Sequence, residues 1–187
     1  MGYQPVETLL TDHFSALSAT ACLPEIYSWL VDESSMTARL EALCRVLEVS
    51  IVKEGFITAL GLSADEQSLL RPHANDQRFW LREVQLIADG SPWLAGRTVI
   101  PENTLQGPET ALTALGNRPL GHYLFQNTSL SRDYLNPGII GGLWARRSLL
   151  RLAKKPLLLT EIFLPDSPLY QSSAKGSSAC TLLPVQK

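Results

Sequence analysis

The sequence has little cysteine. Its 187 residues contain three, Cys22, Cys44 and Cys180. An odd number at wide spacing, without a CxxC pair or a Cys/His cluster, excludes a disulfide framework and the usual zinc-finger spacings. The glycines form neither a GxGxxG nor a Walker pattern, and no serine lies in a GxSxG motif. We therefore expect reduced thiols, no metal and no cofactor.

The sequence also lacks a long apolar run and an excess of charge of one sign. Its first 14 residues, MGYQPVETLLTDHF, do not join a basic stretch to an apolar one, and no run approaches the ~18 apolar residues of a membrane span. The formal net charge is −2, and the basic residues are scattered. Such a distribution argues against a nucleic-acid or anionic-lipid partner. We expect a cytoplasmic protein without stable membrane insertion.

The chain is of a length and composition that suit one domain. It is 45% hydrophobic and 18% charged, and domains commonly comprise ~100–200 residues. The end of the sequence, including QSSAKGSSA, offers little apolar surface that could order it. We predict a folded unit of residues 21–170, a variable and dispensable N-terminal segment of residues 1–20, and a disordered tail of residues 171–187.

Two segments are typical of β-hairpins. QRFWLREVQLIA and PWLAGRTVI flank Asp89 and Gly90, which tolerate the positive φ of a tight turn. LWARRSLLRLA and PLLLTEIFL flank Lys154 and Lys155, with alternation on both arms but a weaker turn signal. Strands grouped with separate helices indicate an α+β fold on an antiparallel sheet.

Two helices are predicted beside these strands. In the first, Ser34 or Ser35 caps apolar residues that recur at helical spacing; they are Met36, Leu40, Leu43 and Leu47. The second covers residues 108–115 and ends at Gly116, whose lack of a Cβ suits a left-handed stop. Core packing accounts for the apolar residues of the first helix without any function.

Arg82 lies among large apolar residues of the same strand face, because strand residues two apart share a face. A two-residue hairpin loop pairs Arg82 with Arg97 across the sheet. Like charges in opposite positions are destabilising unless an anion lies between them, and the guanidinium fork matches a carboxylate. The geometry thus predicts a carboxylate site. Alternatively, Glu83, Glu161 or another acid neutralises the arginines inside the fold, or a longer loop slips the register.

Glu161 is a second charged residue on an apolar strand face, and its charge is negative. It alternates with Leu157, Leu159 and Phe163, so the strand carries a carboxylate on an apolar face. A carboxyl group in such surroundings suits acid/base chemistry. The alternative is a buried Arg–Glu pair.

Six segments of the sequence form a longer ordered pattern: DESSMTARLE, VKEGF, RFWLREVQLIADGSPWLAGRTVIP, LGNRPLGHYLF, GLWARRSLLRL and KPLLLTEIFLPDSPLY. They closely resemble the chorismate pyruvate-lyase family of bacterial ubiquinone biosynthesis, and the resemblance covers residues 29–170. It implies a single α+β domain with a twisted antiparallel sheet, grouped helices and a buried site closed by flaps. It also implies an enzyme that eliminates pyruvate from chorismate to leave 4-hydroxybenzoate, without a cofactor.

The resemblance further implies roles for individual residues. The arginine of WLRE, Arg82, binds the ring carboxylate, and the glutamate of LLLTE, Glu161, meets the ring hydroxyl. Met36 of SMT and Leu120 of RPLG contact the ligand largely through backbone groups. The assignment of Arg97 to the ligand site rests on strand pairing and not on the family. Chorismate and 4-hydroxybenzoate are the expected partners of a monomeric chain.

Two other classes of protein compete with this interpretation. One is a noncatalytic sensor domain of the same fold that binds a small carboxylate, although no helix-turn-helix fits before residue 29. The other is a purely structural domain whose arginines are paired internally. Release of pyruvate from chorismate distinguishes the enzyme from both.

Overall fold

A computed structural model describes residues 5–18, 22–70 and 78–174. Within these ranges, seven strands form one antiparallel sheet with the order β1-β5-β6-β7-β4-β3-β2. The strands are β1 Ser15–Ala16, β2 Leu47–Thr58, β3 Arg78–Ala88, β4 Ser91–Pro101, β5 Leu130–Ile140, β6 Leu143–Leu152 and β7 Lys155–Phe163. The helices are α1 Val6–Thr11, α2 Pro24–Leu30, α3 Met36–Glu41, α4 Ala64–Leu70, α5 Leu120–Phe125 and α6 Pro168–Ala174, with 3-10 turns at Ala59–Gly61, Glu102–Thr104 and Gly107–Ala114. The predicted α+β class is confirmed.

The first hairpin turns where the sequence predicts it. Asp89 and Gly90 join β3 to β4 with φ of 48° and 86°. The second hairpin turns one residue earlier than predicted, at Ala153 and Lys154, and Lys155 already pairs with Leu152. Neither the observed Ala153-Lys154 nor the predicted Lys154-Lys155 contains the Gly or Asn that would fix such a turn. Pairing between buried strand residues therefore sets this register.

The first predicted helix is shorter than its apolar spacing suggests. Ser35 caps α3 by accepting a hydrogen bond from the backbone N–H of Ala38 at 3.3 Å, but the helix ends at Glu41. The Asp89 carboxylate accepts hydrogen bonds from the backbone N–H groups of Arg45 and Val46, which ties this loop to the β3–β4 turn. The chain then enters β2, so tertiary pairing overrides the local helical spacing.

The second predicted helix is a 3-10 helix, Gly107–Ala114, rather than an α-helix. Gly116 follows it with φ of 54°, which confirms the left-handed stop.

The sheet buries side chains on both faces. Helices α2 and α3 pack on one face, against Leu86 and Leu94. The 3-10 helix Gly107–Ala114 and α5 extend this layer over β4, β6 and β7. Helices α1 and α4 cover the opposite face. The candidate site lies on the first face.

Residues 5–18 of the N-terminal segment pack against the sheet. Leu9, Leu10 and Phe14 are buried against residues of β4, β6 and β7, and β1 pairs with β5. A Cβ on Gly138 would lie 2.3 Å from the Phe14 ring, so a glycine is needed for this contact. Residues 5–18 thus pack on the sheet although they precede the predicted start of the folded unit at residue 21, and the dispensability of residues 1–20 stays a prediction. Their apolar side chains pack on the sheet face opposite the candidate site.

Three other expectations can be compared with the described residues. Cys44 carries a free thiol, whereas Cys180 and residues 175–187 of the predicted tail lie outside the described ranges. Within those ranges, no helix is long and apolar enough to cross a bilayer. No three His, Cys, Asp or Glu side chains of the described residues come close enough together to hold a metal ion.

The packing of α1 predicts a clear difference between two leucines. Leu9 is 2% exposed and Leu60 is 96% exposed. We expect Leu9→Ala to lower the free energy of unfolding by about 2–5 kcal/mol, because it leaves a cavity in the core, and Leu60→Ala to change it by less than about 0.5 kcal/mol. Urea denaturation of both variants measures the difference. Equal stabilities would show that α1 does not contribute to the core.

Candidate active site

A cavity lies between the first face of the sheet and the helices α3 and α5. Strands β3, β4, β5, β6 and β7 form its floor and walls, and the two helices cover it. Its polar lining consists mainly of three arginines and one glutamate, which are Arg82, Arg132, Arg146 and Glu161. Five leucines from the sheet and from α5 supply much of the apolar wall. The cavity therefore combines cationic groups with apolar surface, as sites for small organic anions do.

The four residues that the resemblance assigns to the site all line this cavity. They are Met36 of α3, Arg82 of β3, Leu120 of α5 and Glu161 of β7. These residues come from four elements that are distant in sequence, and the strand order β7-β4-β3 brings two of them onto one face. The sequence thus identified residues that the fold brings together, and their roles toward a ligand stay predictions.

Arg82 is held by three acceptors. One Nη1–H donates to the carboxylate of Glu54 on the neighbouring strand β2. Nη2 donates to the backbone carbonyls of Gly116 and Arg118, at 2.7 and 3.1 Å. The side chain is 3% exposed. These contacts compensate the buried charge and fix the orientation of the guanidinium fork.

Glu161 lies directly beside Arg146 in the β6–β7 pairing. The Nε–H of Arg146 donates to Oε2 of Glu161 at 2.5 Å, and its Nη1 donates to the backbone carbonyl of Asp32 at 2.7 Å. The predicted alternative of a buried Arg–Glu pair is therefore present. Because both residues also line the cavity, Arg146 can orient the carboxylate of Glu161 toward a ligand.

Arg97 lies on the opposite face of the sheet. The register is Arg82 opposite Thr98 and Glu83 opposite Arg97, so the prediction that Arg82 faces Arg97 is wrong. The two-residue loop is correct, but the pairing shifts at Trp93, where Ile87 faces Pro92 and Leu86 faces Leu94. One extra residue in one strand reverses the faces of all residues beyond it.

Arg97 is compensated inside the protein. Its Nη1 donates to Glu83 at 2.5 Å, and its Nε donates to Glu66 of α4 at 2.7 Å. Burial lowers the pKa of Arg97, but the hydrogen bonds to Glu66 and the contacts with Glu83 outweigh it, so the net shift is upward. Arg97 does not line the cavity that contains Arg82. The alternative of internal neutralisation by Glu83 and another acid holds for this residue.

Among the cavity residues that sequence reasoning missed are two arginines and a glycine. Arg146 lies in the quoted motif GLWARRS, and alternation along β6 could have placed it on the face of Leu150. Gly96 pairs with Glu161 and with Val84, so it forms open floor between β7 and β3. Arg132 of β5 had no local signal, because the face of this strand changes at an irregularity before Tyr134.

The two covering helices contact each other over the cavity. A Cβ on Gly121 of α5 would lie 2.5 Å from Oγ1 of Thr37 and 3.0 Å from Oγ of Ser35. At the outer side, Nε2 of His122 lies 2.9 Å from the carboxylate of Glu41 on α3. The helices therefore meet closely enough that only glycine fits at residue 121 without displacement.

Comparison with known proteins identifies the family. The family model described as chorismate lyase matches residues 13–175. The chain belongs to the chorismate lyase family. It is 52% identical over 170 residues to the chorismate pyruvate-lyase of Erwinia tasmaniensis, covering 87% of this chain and 95% of that protein. It is 54% identical over 149 residues to that of Pectobacterium atrosepticum, covering 79% and 82% of the two chains.

A solved structure shares the fold of this chorismate lyase family member at low sequence identity. The crystal structure of PhnF from Mycobacterium smegmatis matches with a TM-score of 0.52 and 12% identity, over 73% of this chain and 66% of that one. This likeness supports the fold alone.

The close contact of α3 with α5 predicts the effect of one methyl group. We expect Gly121→Ala to weaken 4-hydroxybenzoate binding by about tenfold or more, because an overpacked contact costs ~1–3 kcal/mol and must separate the helices that cover the cavity. Calorimetric titration with 4-hydroxybenzoate measures the affinity. The double variant Gly121→Ala with Thr37→Ala should recover part of it, and an unchanged affinity in the single variant would contradict the covering role.

Proposed function

We propose that this chain eliminates pyruvate from chorismate to leave 4-hydroxybenzoate, and that the reaction takes place in the cavity between the sheet and helices α3 and α5. The observation that carries this proposal is the placement of Arg82 and Glu161 on one cavity face, with Gly96 of β4 between their strands. Two strand spacings are about 10 Å. Side chains that extend from these strands can reach opposite ends of one six-membered ring.

The reaction requires orientation more than strong acid or base. The ether bond from the ring to the enolpyruvyl group breaks, and the ring carbon that bears the hydroxyl loses its proton. The leaving enolpyruvate takes up a proton at its methylene carbon and becomes pyruvate. Because the ring becomes aromatic, the substrate supplies much of the driving force. The protein contributes by fixing the reacting geometry and by stabilising charge.

Arg82 is the proposed partner of the ring carboxylate. Its contacts with Glu54, Gly116 and Arg118 hold the guanidinium in a fixed direction before any ligand binds. A preorganised cation in an apolar cavity binds an anion without paying for its own reorientation.

Glu161 is the proposed partner of the ring hydroxyl. The hydrogen bond from Arg146 to its Oε2 fixes the carboxylate at the cavity wall. From there, Glu161 either takes up the proton that leaves the ring or orients the hydroxyl beside it. Met36 and Leu120 are the first residues of α3 and α5, where backbone N–H groups lack a partner within the helix. These groups are the proposed backbone contacts of the ligand.

The test of the function is the conversion of chorismate by the purified protein without added metal or nucleotide. We expect equal amounts of pyruvate and 4-hydroxybenzoate. Glu161→Gln should lower kcat by ~10²–10⁴-fold if the carboxylate transfers a proton, since an amide still accepts a hydrogen bond but is not a base. An unchanged kcat would leave Glu161 only the orienting role.

The variant at Arg82 tests the carboxylate site and needs a matched background. Removing Arg82 alone leaves the largely buried carboxylate of Glu54 without its cation, so Arg82→Met is combined with Glu54→Gln and compared with Glu54→Gln alone. We expect the double variant to lose at least tenfold in 4-hydroxybenzoate affinity relative to the single one. Saturable binding of 4-hydroxybenzoate without turnover by the wild-type protein would instead support a noncatalytic carboxylate sensor.

A further inference from the structure

Chorismate carries two carboxylates, whereas 4-hydroxybenzoate carries one. In the proposed function, Arg82 binds the carboxylate that stays on the ring. The carboxylate of the enolpyruvyl group, which leaves with pyruvate, still needs a partner in the cavity. A buried carboxylate without a cation or hydrogen-bond donor would strongly oppose binding, because it loses its hydration without a replacement.

Two of the three arginines in the cavity are already engaged by acids of the protein. Arg82 pairs with Glu54, and Arg146 pairs with Glu161. Arg146 also donates to the backbone carbonyl of Asp32. Each of these side chains therefore has an internal anion that compensates its charge. Arg82 is already assigned to the ring carboxylate and Arg146 holds Glu161, so a further cation is needed for the second carboxylate.

Arg132 differs from both. Its Nη1 is buried and has no hydrogen-bond partner among the residues that the structure describes. Burial, and after it the charge of Arg146, lowers the pKa of the Arg132 guanidinium, while Glu161, Glu33 and Asp32 act in the opposite direction. Buried donors without a partner are rare in folded proteins. A ligand anion at this wall of the cavity would supply the missing acceptor.

A strand irregularity aims Arg132 at the cavity. Arg132 pairs with Leu150, but Tyr134 pairs with Leu149, so Asp133 is an extra residue in β5. Leu150 lies on the cavity side of the sheet and Leu149 on the opposite side. In a regular strand, Arg132 would share the face of Tyr134 and point away from the cavity. Asp133 itself forms an ion pair with Arg151 at 2.8 Å.

From these observations we propose that Arg132 binds the enolpyruvyl carboxylate of chorismate and thereby distinguishes the substrate from the product. This inference rests on the proposed function of the same cavity. Arg132 acts as a binding residue for the part of the substrate that departs. The two ends of the site thus have separate anion partners, Arg82 for the ring carboxylate and Arg132 for the enolpyruvyl carboxylate.

The test compares substrate with product in one variant. We expect Arg132→Met to lower kcat/KM for chorismate by about 10- to 100-fold, which is the usual effect of losing a charged hydrogen bond. The dissociation constant of 4-hydroxybenzoate should change by less than about threefold, because this ligand lacks the second carboxylate. Arg78→Met, at an exposed arginine of β3, is the matched control and should change neither value. Equal losses for substrate and product, or no loss for either, would overturn the assignment.

A pair of ligands tests the same point on the wild-type protein. 3-(Carboxymethoxy)-4-hydroxybenzoate carries the ring carboxylate, the hydroxyl and an ether-linked carboxylate, and 3-methoxy-4-hydroxybenzoate lacks only the last group. Wild-type protein should bind the dicarboxylate more tightly, Arg132→Lys should keep part of this preference, and Arg132→Met should lose it. A wild-type protein that turns over chorismate but shows no such preference would overturn the role of Arg132 without affecting the proposed function.

Discussion

The positions of the buried arginines on the sheet depend on one constraint: a buried guanidinium must meet an anion or a set of hydrogen-bond acceptors. An unpaired charge in a protein interior costs several kcal/mol, which is roughly a large part of the free energy of unfolding of a domain. Arg82 meets Glu54, Arg97 meets Glu66 and Glu83, and Arg146 meets Glu161. Neighbouring strands supply most of these acids. Charge pairing therefore acts together with apolar packing to fix how the strands lie.

Buried arginines on the two faces of the sheet are compensated differently. On the face that α1 and α4 cover, Arg97 is enclosed by two glutamates, and its charge is compensated within the protein. On the cavity face, the number of arginines exceeds the number of acids that pair with them in the described part of the chain, because Arg132 joins Arg82 and Arg146. The first arrangement stabilises the fold. The second leaves positive charge for a ligand.

Much of the fold was predictable because its signals are local. Alternation along β3 and β7 placed Arg82 and Glu161 on apolar faces, and Asp89 with Gly90 marked the first turn. The irregularities at Trp93 and Asp133 were not predictable, because the residue types at these positions do not indicate an extra residue in the strand. Each of them reverses the facing of the residues beyond it. The error about Arg97 and the omission of Arg132 therefore have the same physical origin.

The charge balance of the cavity changes during the reaction. On the proposed assignments, the two carboxylates of bound chorismate meet Arg82 and Arg132, and the hydroxyl meets Glu161. When the ether bond breaks, the enolpyruvyl group becomes a separate anion, and only its carboxylate is still held, by Arg132. The aromatic product keeps its contacts at both ends and stays beneath α3 and α5. On this assignment, pyruvate has the fewer contacts to break, and separation of the two helices at Gly121 and Thr37 governs the release of 4-hydroxybenzoate.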